Sequence, residues 1–125
     1  MKKRLLSSLL VILFLCVLCA CTESKNSTFN GSKTGDSNHY DISFDILNTT
    51  YTHELSMKTG ESILVHIEKK SGDIKVEIFD SQNVSIYEGN GEVLSDFSVG
   101  IAEDGIYTVS VTGKEAKGHA SFERK

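Results

Sequence analysis

The chain has 125 residues with 13 basic and 17 acidic side chains, a formal charge of −4, and it contains neither proline nor tryptophan. This length allows a single domain of ordinary size. The acidic balance excludes the basic surface on which nucleic-acid binding depends, so we expect no nucleic-acid partner.

The first part of the chain has the regions of a secretory signal. A basic head at residues 1–4 precedes an apolar segment, residues 5–20, which ends in the small residue Ala20. This order is typical of a cleaved signal peptide. The apolar segment has 16 residues, fewer than the roughly 20 that a membrane-spanning helix needs. A short uncleaved anchor is the alternative interpretation.

The end of this segment reads Leu18-Cys19-Ala20-Cys21 and resembles the lipobox of bacterial lipoproteins. In such a signal an aliphatic residue, a loosely specified position and a small residue precede the cysteine that is modified. The resemblance implies cleavage after Ala20 and a diacylglyceryl group on the sulfur of Cys21, with acylation of the new amino end. Cys19 departs from the small or aliphatic residues usual at its position. Two or three acyl chains anchor a protein stably, whereas one binds only marginally.

Cleavage would change the chemistry of the remaining chain. Cys16 and Cys19 would leave with residues 1–20 and lipid would occupy Cys21, so no thiol would remain for a disulfide or a zinc site. Loss of three basic residues leaves 10 basic and 17 acidic side chains, a formal charge of −7. We therefore expect an acidic protein, held by lipid at the extracytoplasmic face of the cell membrane.

Residues 21–39 are predicted to be a disordered linker. Ser, Thr, Asn, Gly and Lys dominate this segment, and Phe29 is its single large apolar residue. Such a segment buries too little apolar surface to offset the entropy of its backbone. A flexible coil of this length has a root-mean-square reach of about 20–25 Å.

From residue 40 onward apolar side chains alternate with polar ones, which is the period of half-buried strands. The positions predicted to face inward are Ile42, Phe44, Ile46, Tyr51, His53, Leu55, Met57, Ile63, Val65, Ile67, Ile74, Val76, Ile78, Tyr107, Val109, Val111, Ala120 and Phe122. Weaker strands are predicted at 84–87 and 93–99. Turn-forming residues separate these runs at 58–61, 71–73, 81–83, 89–91, 103–105 and 112–114.

This spacing predicts an all-β domain over residues 40–125. The expected architecture is a small antiparallel β-sandwich, or a partly closed barrel, of seven to eight strands. Tyr107 follows Asp104 and Gly105, and we expect it to be a core tyrosine at a strand entry, akin to a tyrosine corner.

Two of these runs resemble the strands of bacterial prepeptidase C-terminal-like β-sandwich domains. They are residues 72–80, GDIKVEIFD, and residues 105–111, GIYTVSV, while residues 60–63 lead into a strand in the same scheme. The resemblance spans roughly residues 51–122 and implies an accessory module, of a family in which some members bind polymers or calcium. Lys75 stands where some members place an acid, so the resemblance implies a sandwich and not a calcium site.

The four histidines, His39, His53, His66 and His119, show no metal-binding spacing. The sequence therefore predicts no cofactor and no metal site. If a transition-metal site exists, the candidates are His53 and His66 on adjacent predicted strands, with Glu54 or Glu68 beside them.

No serine lies in a nucleophile elbow, and the scattered histidines suggest no triad, so we expect no enzyme. The leading hypothesis is a membrane-anchored lipoprotein whose non-catalytic β-sandwich binds an exported protein or an envelope polymer. The alternative is a lipoprotein that binds a small ligand or a metal ion.

Overall fold

The computed structural model describes residues 27–92 and 95–125, with Ser95 described by its backbone alone. All regular structure in these residues is β. The strands are β1 (Phe29–Gly35), β2 (His39–Leu47), β3 (Thr50–Met57), β4 (Ser62–Phe79), β5 (Ser85–Gly89), β6 (Ser95–Gly100) and β7 (Gly105–Arg124). All pairings between them are antiparallel, and the sheet is not closed. The prediction of an all-β antiparallel fold is confirmed.

The predicted signal peptide, residues 1–20, lies outside the described residues, as do its cleavage residue Ala20 and the lipidation residue Cys21. Within the described ranges no helix has the length and hydropathy of a membrane span.

The two longest strands, β4 and β7, form the centre of the sheet. They pair along their whole lengths, from Ile63 opposite Arg124 to Phe79 opposite Thr108. On the other edge of β4, β6 pairs with the first part of the strand and β5 with the last part. On the other edge of β7, β3 pairs with the first part and β2 with the last, and β1 extends β2. One continuous sheet therefore has two halves that share β4 and β7.

The two halves enclose one apolar core. The first part of β4 contributes Ile63, Val65 and Ile67, the second part contributes Ile74, Val76 and Ile78, and all six side chains are buried. Burial of each large aliphatic side chain stabilises the fold by about 1.5–3 kcal/mol. Aromatic contacts join β1 to β3 and β5 to β6, with ring centroids 5.0 Å apart in the Phe29–Tyr51 pair and 4.7 Å apart in the Tyr87–Phe97 pair. This is the sandwich arrangement that the alternating pattern predicts.

Ile46 is exposed although it is a predicted core position, and the predicted core positions Tyr51 and His53 are only half-buried. The pairing of β2 with β7 is irregular between Phe44 and Leu47. An extra residue in one strand reverses the direction of the side chains that follow. Ile46 is accordingly 36% exposed, while Leu47 is fully buried.

Two predicted turns, at 71–73 and 112–114, are wrong. Both segments lie inside strands, because β4 and β7 bend there without reversing direction. The pairing of β4 with β7 shifts between Lys69 and Asp73, and positive φ angles occur at Gly72 (74°) and Glu115 (48°). Glycine signals left-handed backbone equally well in a turn and in a strand bulge, so the sequence alone does not separate the two.

The predicted disordered linker is wrong for residues 29–39. β1 occupies Phe29–Gly35, and β2 begins at His39. An edge strand takes its backbone hydrogen bonds from its neighbour, so β1 needs little apolar surface of its own. Apart from Phe29, which packs on the core, its residues are exposed. The folded domain therefore begins at residue 29 instead of residue 40, and residues 21–26 of the predicted linker lie outside the described residues.

Hydrogen bonds to two carboxylates, those of Glu61 and Asp104, stabilise the turn between β3 and β4. Glu61 accepts hydrogen bonds from the backbone N–H of Lys58 and from Arg124 Nε, both at 2.6 Å. The Arg124 hydrogen bond is the main cause of a pKa for Glu61 below its usual value. Asp104 accepts from the backbone N–H of Thr59 at 2.6 Å, which lowers the Asp104 pKa. The end of β7 is thereby tied to the start of β4.

Candidate metal centre

A row of polar side chains crosses the outer face of one half of the sheet. His66 on β4 projects away from the core, because its neighbours Val65 and Ile67 face inward. The strand register places Asp96 of β6 on one side of His66 and Ser121 of β7 on the other, and Asp41 of β2 lies opposite Ser121. Four neighbouring strands therefore bring these side chains to one surface.

The next row contains Glu68 on β4 and His119 on β7, which are direct partners across the two strands. Since alternate residues of a strand share a face, Glu68 lies on the same side as His66. The imidazole rings of His66 and His119 have centroids 5.6 Å apart. One candidate ligand atom from each of His66, Glu68 and His119 lies within 4.8 Å of the others. We call these three residues the His–Glu–His cluster.

Each histidine of the cluster also contacts a carboxylate. His66 Nδ1 lies 2.6 Å from Asp96 Oδ1, and His119 Nε2 lies 3.0 Å from both carboxylate oxygens of Asp41. An ionised carboxylate only accepts hydrogen bonds, so it selects the tautomer in which the contacted nitrogen carries the proton. In the neutral imidazoles this leaves a lone pair on Nε2 of His66 and on Nδ1 of His119.

These lone pairs and the Glu68 carboxylate make a donor set of two nitrogens and one oxygen. Imidazole with carboxylate suits zinc and copper, whereas calcium and magnesium prefer oxygen ligands alone. The cluster is half-buried: the side chains of His66 and His119 are 35% and 29% exposed. The arrangement can bind a divalent transition-metal ion at the surface.

The sequence identified two members of this cluster and missed the third. The sequence predicts His66 and Glu68 as candidate ligands, but it predicts His53 as their partner. The register of β4 with β7 supplies His119 instead. His119 is 51 positions further along the chain than Glu68, so only a correct pairing of these two strands would have revealed it.

His53 has a structural position elsewhere. Its ring stacks on Tyr40 with centroids 4.6 Å apart, and its Nε2 lies 2.6 Å from the backbone oxygen of Asp36. Burial raises the pKa of the Tyr40 hydroxyl. Glu54 is exposed on β3, away from the cluster. The pairing of His53 with His66 is therefore wrong.

The other residues singled out in the sequence have local roles. Lys75 Nζ lies 2.9 Å from Glu77 Oε1 and 3.6 Å from Glu88 Oε1, and the hydrogen bond to Glu77 is the main cause of a raised pKa for Lys75. Tyr107 is buried, and its hydroxyl donates to the backbone oxygen of Glu103 at 2.7 Å. This bond to a carbonyl four residues upstream confirms the predicted tyrosine corner.

No family model matches the chain, and no curated protein does either. Several solved structures have a similar course of the chain. A periplasmic inhibitor of g-type lysozyme from Aeromonas hydrophila, PliG, has a TM-score of 0.47 and 14% identity over 82% of this chain and 90% of its own. A CBM4 structure has a TM-score of 0.42 and 11% identity over 78% of this chain and 75% of its own. A complex of accessory secretory proteins 1, 2 and 3 from Streptococcus pneumoniae has a TM-score of 0.38 and 12% identity over 82% and 96%. At these values no function is carried over.

Proposed function

We propose that the protein is an extracytoplasmic lipoprotein, anchored in the cell membrane through lipid on Cys21, whose β-sandwich binds an exported protein or an envelope polymer without catalysing a reaction. The observation that carries the proposal is the lipobox-like sequence at residues 18–21, placed at the end of a signal-like segment. The diacylglyceryl group that such signals direct carries two acyl chains, which anchor a protein stably, whereas one chain binds a membrane only marginally.

The early start of the sheet supports an anchored domain close to the membrane. Seven residues separate Cys21 from Phe29. An extended chain covers at most about 3.3–3.6 Å per residue, so the first strand lies within about 30 Å of the anchored cysteine. The lipid would therefore hold the start of β1 near the headgroups.

Three lysines lie at that end of the domain. Phe29 pairs with Leu47, and Leu47 pairs with Ala116, so β1 begins beside the bend of β7. The exposed Lys70, Lys114 and Lys117 lie at or next to the bends of β4 and β7. Each lysine close to an anionic membrane surface contributes about 1 kcal/mol of attraction. The exposed acids Asp73 and Glu115 lie at the same bends and offset part of this attraction.

Labelling growing cells with a lipid precursor tests the anchor. The native chain is expected to incorporate label and to partition into the membrane, whereas Cys21→Ser loses both properties. Cys19→Ser is the matched control, since a small residue at that position leaves the signal intact. Label retained in Cys21→Ser would show that the anchoring proposal is wrong.

Crosslinking on intact cells tests the binding function. The anchored chain is expected to form a discrete adduct with a protein or an envelope polymer. The alternative function, metal-ion binding, is favoured by a different observation, the His–Glu–His cluster.

A further inference from the structure

The geometry points to a binding site for a divalent transition-metal ion, zinc or copper, formed by His66, Glu68 and His119. This inference is independent of the lipid anchor, because all three ligands belong to the folded sheet. Asp96 and Asp41 complete the site from the strands on either side. The site would hold an ion with three protein ligands and leave a further position for water or an outside ligand.

The first argument is the pattern of contacts around the two imidazoles. Metal-binding histidines usually donate their second N–H to a carboxylate or a carbonyl, which fixes the ring and strengthens the ligand. Both His66 and His119 have such a carboxylate, Asp96 and Asp41 respectively, before any ion is bound. If His66 and His119 only formed separate ion pairs with Asp96 and Asp41, each pair would need one histidine and one acid. Such pairs would not explain why Glu68 lies beside both rings.

The second argument is distance. A tetrahedral zinc ion with bonds of about 2.0–2.1 Å holds its ligand atoms about 3.3–3.4 Å apart. The candidate ligand atoms of the cluster are already within 4.8 Å of one another. The three side chains are half-buried, and rotation about their side-chain bonds would have to close the remaining gap.

The third argument is electrostatic. Three carboxylates, on Asp41, Glu68 and Asp96, surround the two imidazoles. When the imidazoles are neutral, as metal binding requires, these side chains carry three negative charges, which the nearby exposed Lys70 and Lys117 offset only in part. A divalent cation would neutralise most of this charge. The two imidazole nitrogens select against calcium and magnesium, which prefer oxygen ligands.

Calorimetric titration of the purified full chain in detergent tests the site. We expect one zinc or copper ion per chain and a rise in melting temperature, because an ion that binds the native state stabilises it. Calcium at the same concentrations is expected to have no effect. The electron paramagnetic resonance spectrum of the copper form is expected to show two coordinated imidazoles.

Single substitutions assign the ligands. His66→Ala and His119→Ala should weaken metal binding at least about 100-fold, while Asp96→Asn should weaken it about 10–100-fold through its histidine. His39→Gln is the matched control, since His39 Nδ1 lies 3.0 Å from Asp36 Oδ1 but belongs to no such cluster. All variants keep the cysteines of the native chain, so binding by thiols would be the same in each.

Measuring the melting temperature without metal separates folding from ligation. If His119→Ala lowers it, Glu68→Gln, which keeps the shape of the side chain, takes its place in the comparison. The inference is overturned if neither zinc nor copper changes the melting temperature of the native chain. It is equally overturned if the cluster variants bind these ions as tightly as His39→Gln does.

Discussion

Gly72 on β4 lies directly against the backbone of Glu115 on β7, at the place where both long strands bend. A Cβ atom at residue 72 would overlap the carbonyl oxygen of Glu115 and lie 2.7 Å from the Cα of Ala116, well inside van der Waals contact. Gly72 also has a φ of 74°, in the region that side chains disfavour. The bends of β4 and β7 can approach this closely only because residue 72, in the bend of β4, is a glycine without a side chain.

We predict that Gly72→Ala destabilises the protein strongly. The left-handed backbone alone costs about 1–3 kcal/mol for a residue with a side chain, and the clash with β7 adds to this. Gly60→Ala is the matched control, since Gly60 has a φ of 87° but open space around its Cβ position. Chemical denaturation should show a clearly larger loss for Gly72→Ala. Equal losses would mean that the close approach of the two strands contributes nothing.

The second prediction concerns pH. Arg124 lowers the pKa of Glu61 in the folded state from its usual value of 4.5. A depressed carboxyl pKa contributes stability that is complete above the unfolded pKa and is lost as the pH falls through the folded pKa. We therefore expect the melting temperature to fall as the pH decreases below about 4.5, and expect Glu61→Gln to flatten this dependence.

The control for the pH experiment is Glu123→Gln. Glu123 lies near the end of β7 and pairs with the exposed Lys125 at 3.2 Å. Glu123→Gln removes one carboxylate charge, as Glu61→Gln does, but leaves the hydrogen bonds of Glu61 intact. A melting curve for Glu61→Gln that follows the native pH dependence would contradict the prediction.

The third prediction concerns His53, which we expect to be a structural residue. His53→Ala removes a ring stacked on Tyr40 and a hydrogen bond to the backbone of Asp36. Together these contacts are worth about 1–3 kcal/mol. Zinc affinity should stay unchanged. Glu54→Ala, an exposed neighbour on β3, should change stability by less than about 0.5 kcal/mol. A large loss of zinc affinity in His53→Ala would assign the metal to another site.

The fourth prediction concerns the hydroxyl of Tyr107. Tyr107→Phe keeps the buried ring but leaves the carbonyl of Glu103 without its donor. The expected loss is about 1–2 kcal/mol by chemical denaturation. Tyr51→Phe, on a half-buried tyrosine whose ring contacts Phe29 and Lys33, should cost less. If the two variants were equally stable, the loop before β7 would not depend on this bond.

Most of the fold could be predicted from the sequence, because apolar and polar residues alternate strictly along the core strands. Ile63, Val65 and Ile67 were assigned to the correct face by period alone. The two-residue alternation contains no information about which strands pair, so it predicts turns where β4 and β7 bend. It also contains no information about bulges, so it predicts Ile46 in the core. β1 was missed because its stability comes from backbone pairing with β2 and not from its side chains.

For the same reason, the sequence predicts only two of the three residues of the His–Glu–His cluster. His66 and Glu68 share a face because they are two positions apart on one strand. His119 joins them through long-range register, which a local pattern does not contain. The tyrosine corner at Tyr107 was predictable because its partner is only four residues away.

The position of β7 has a consequence for how the chain folds. β7 forms backbone hydrogen bonds with β2, β3 and β4. Until β7 has been synthesised, the preceding strands have no common neighbour, and formation of the sheet must wait for contacts between distant parts of the sequence. Folds of this kind assemble slowly. The local pairs β1–β2 and β4–β5 can form earlier, but the complete sheet forms only once β7 is available.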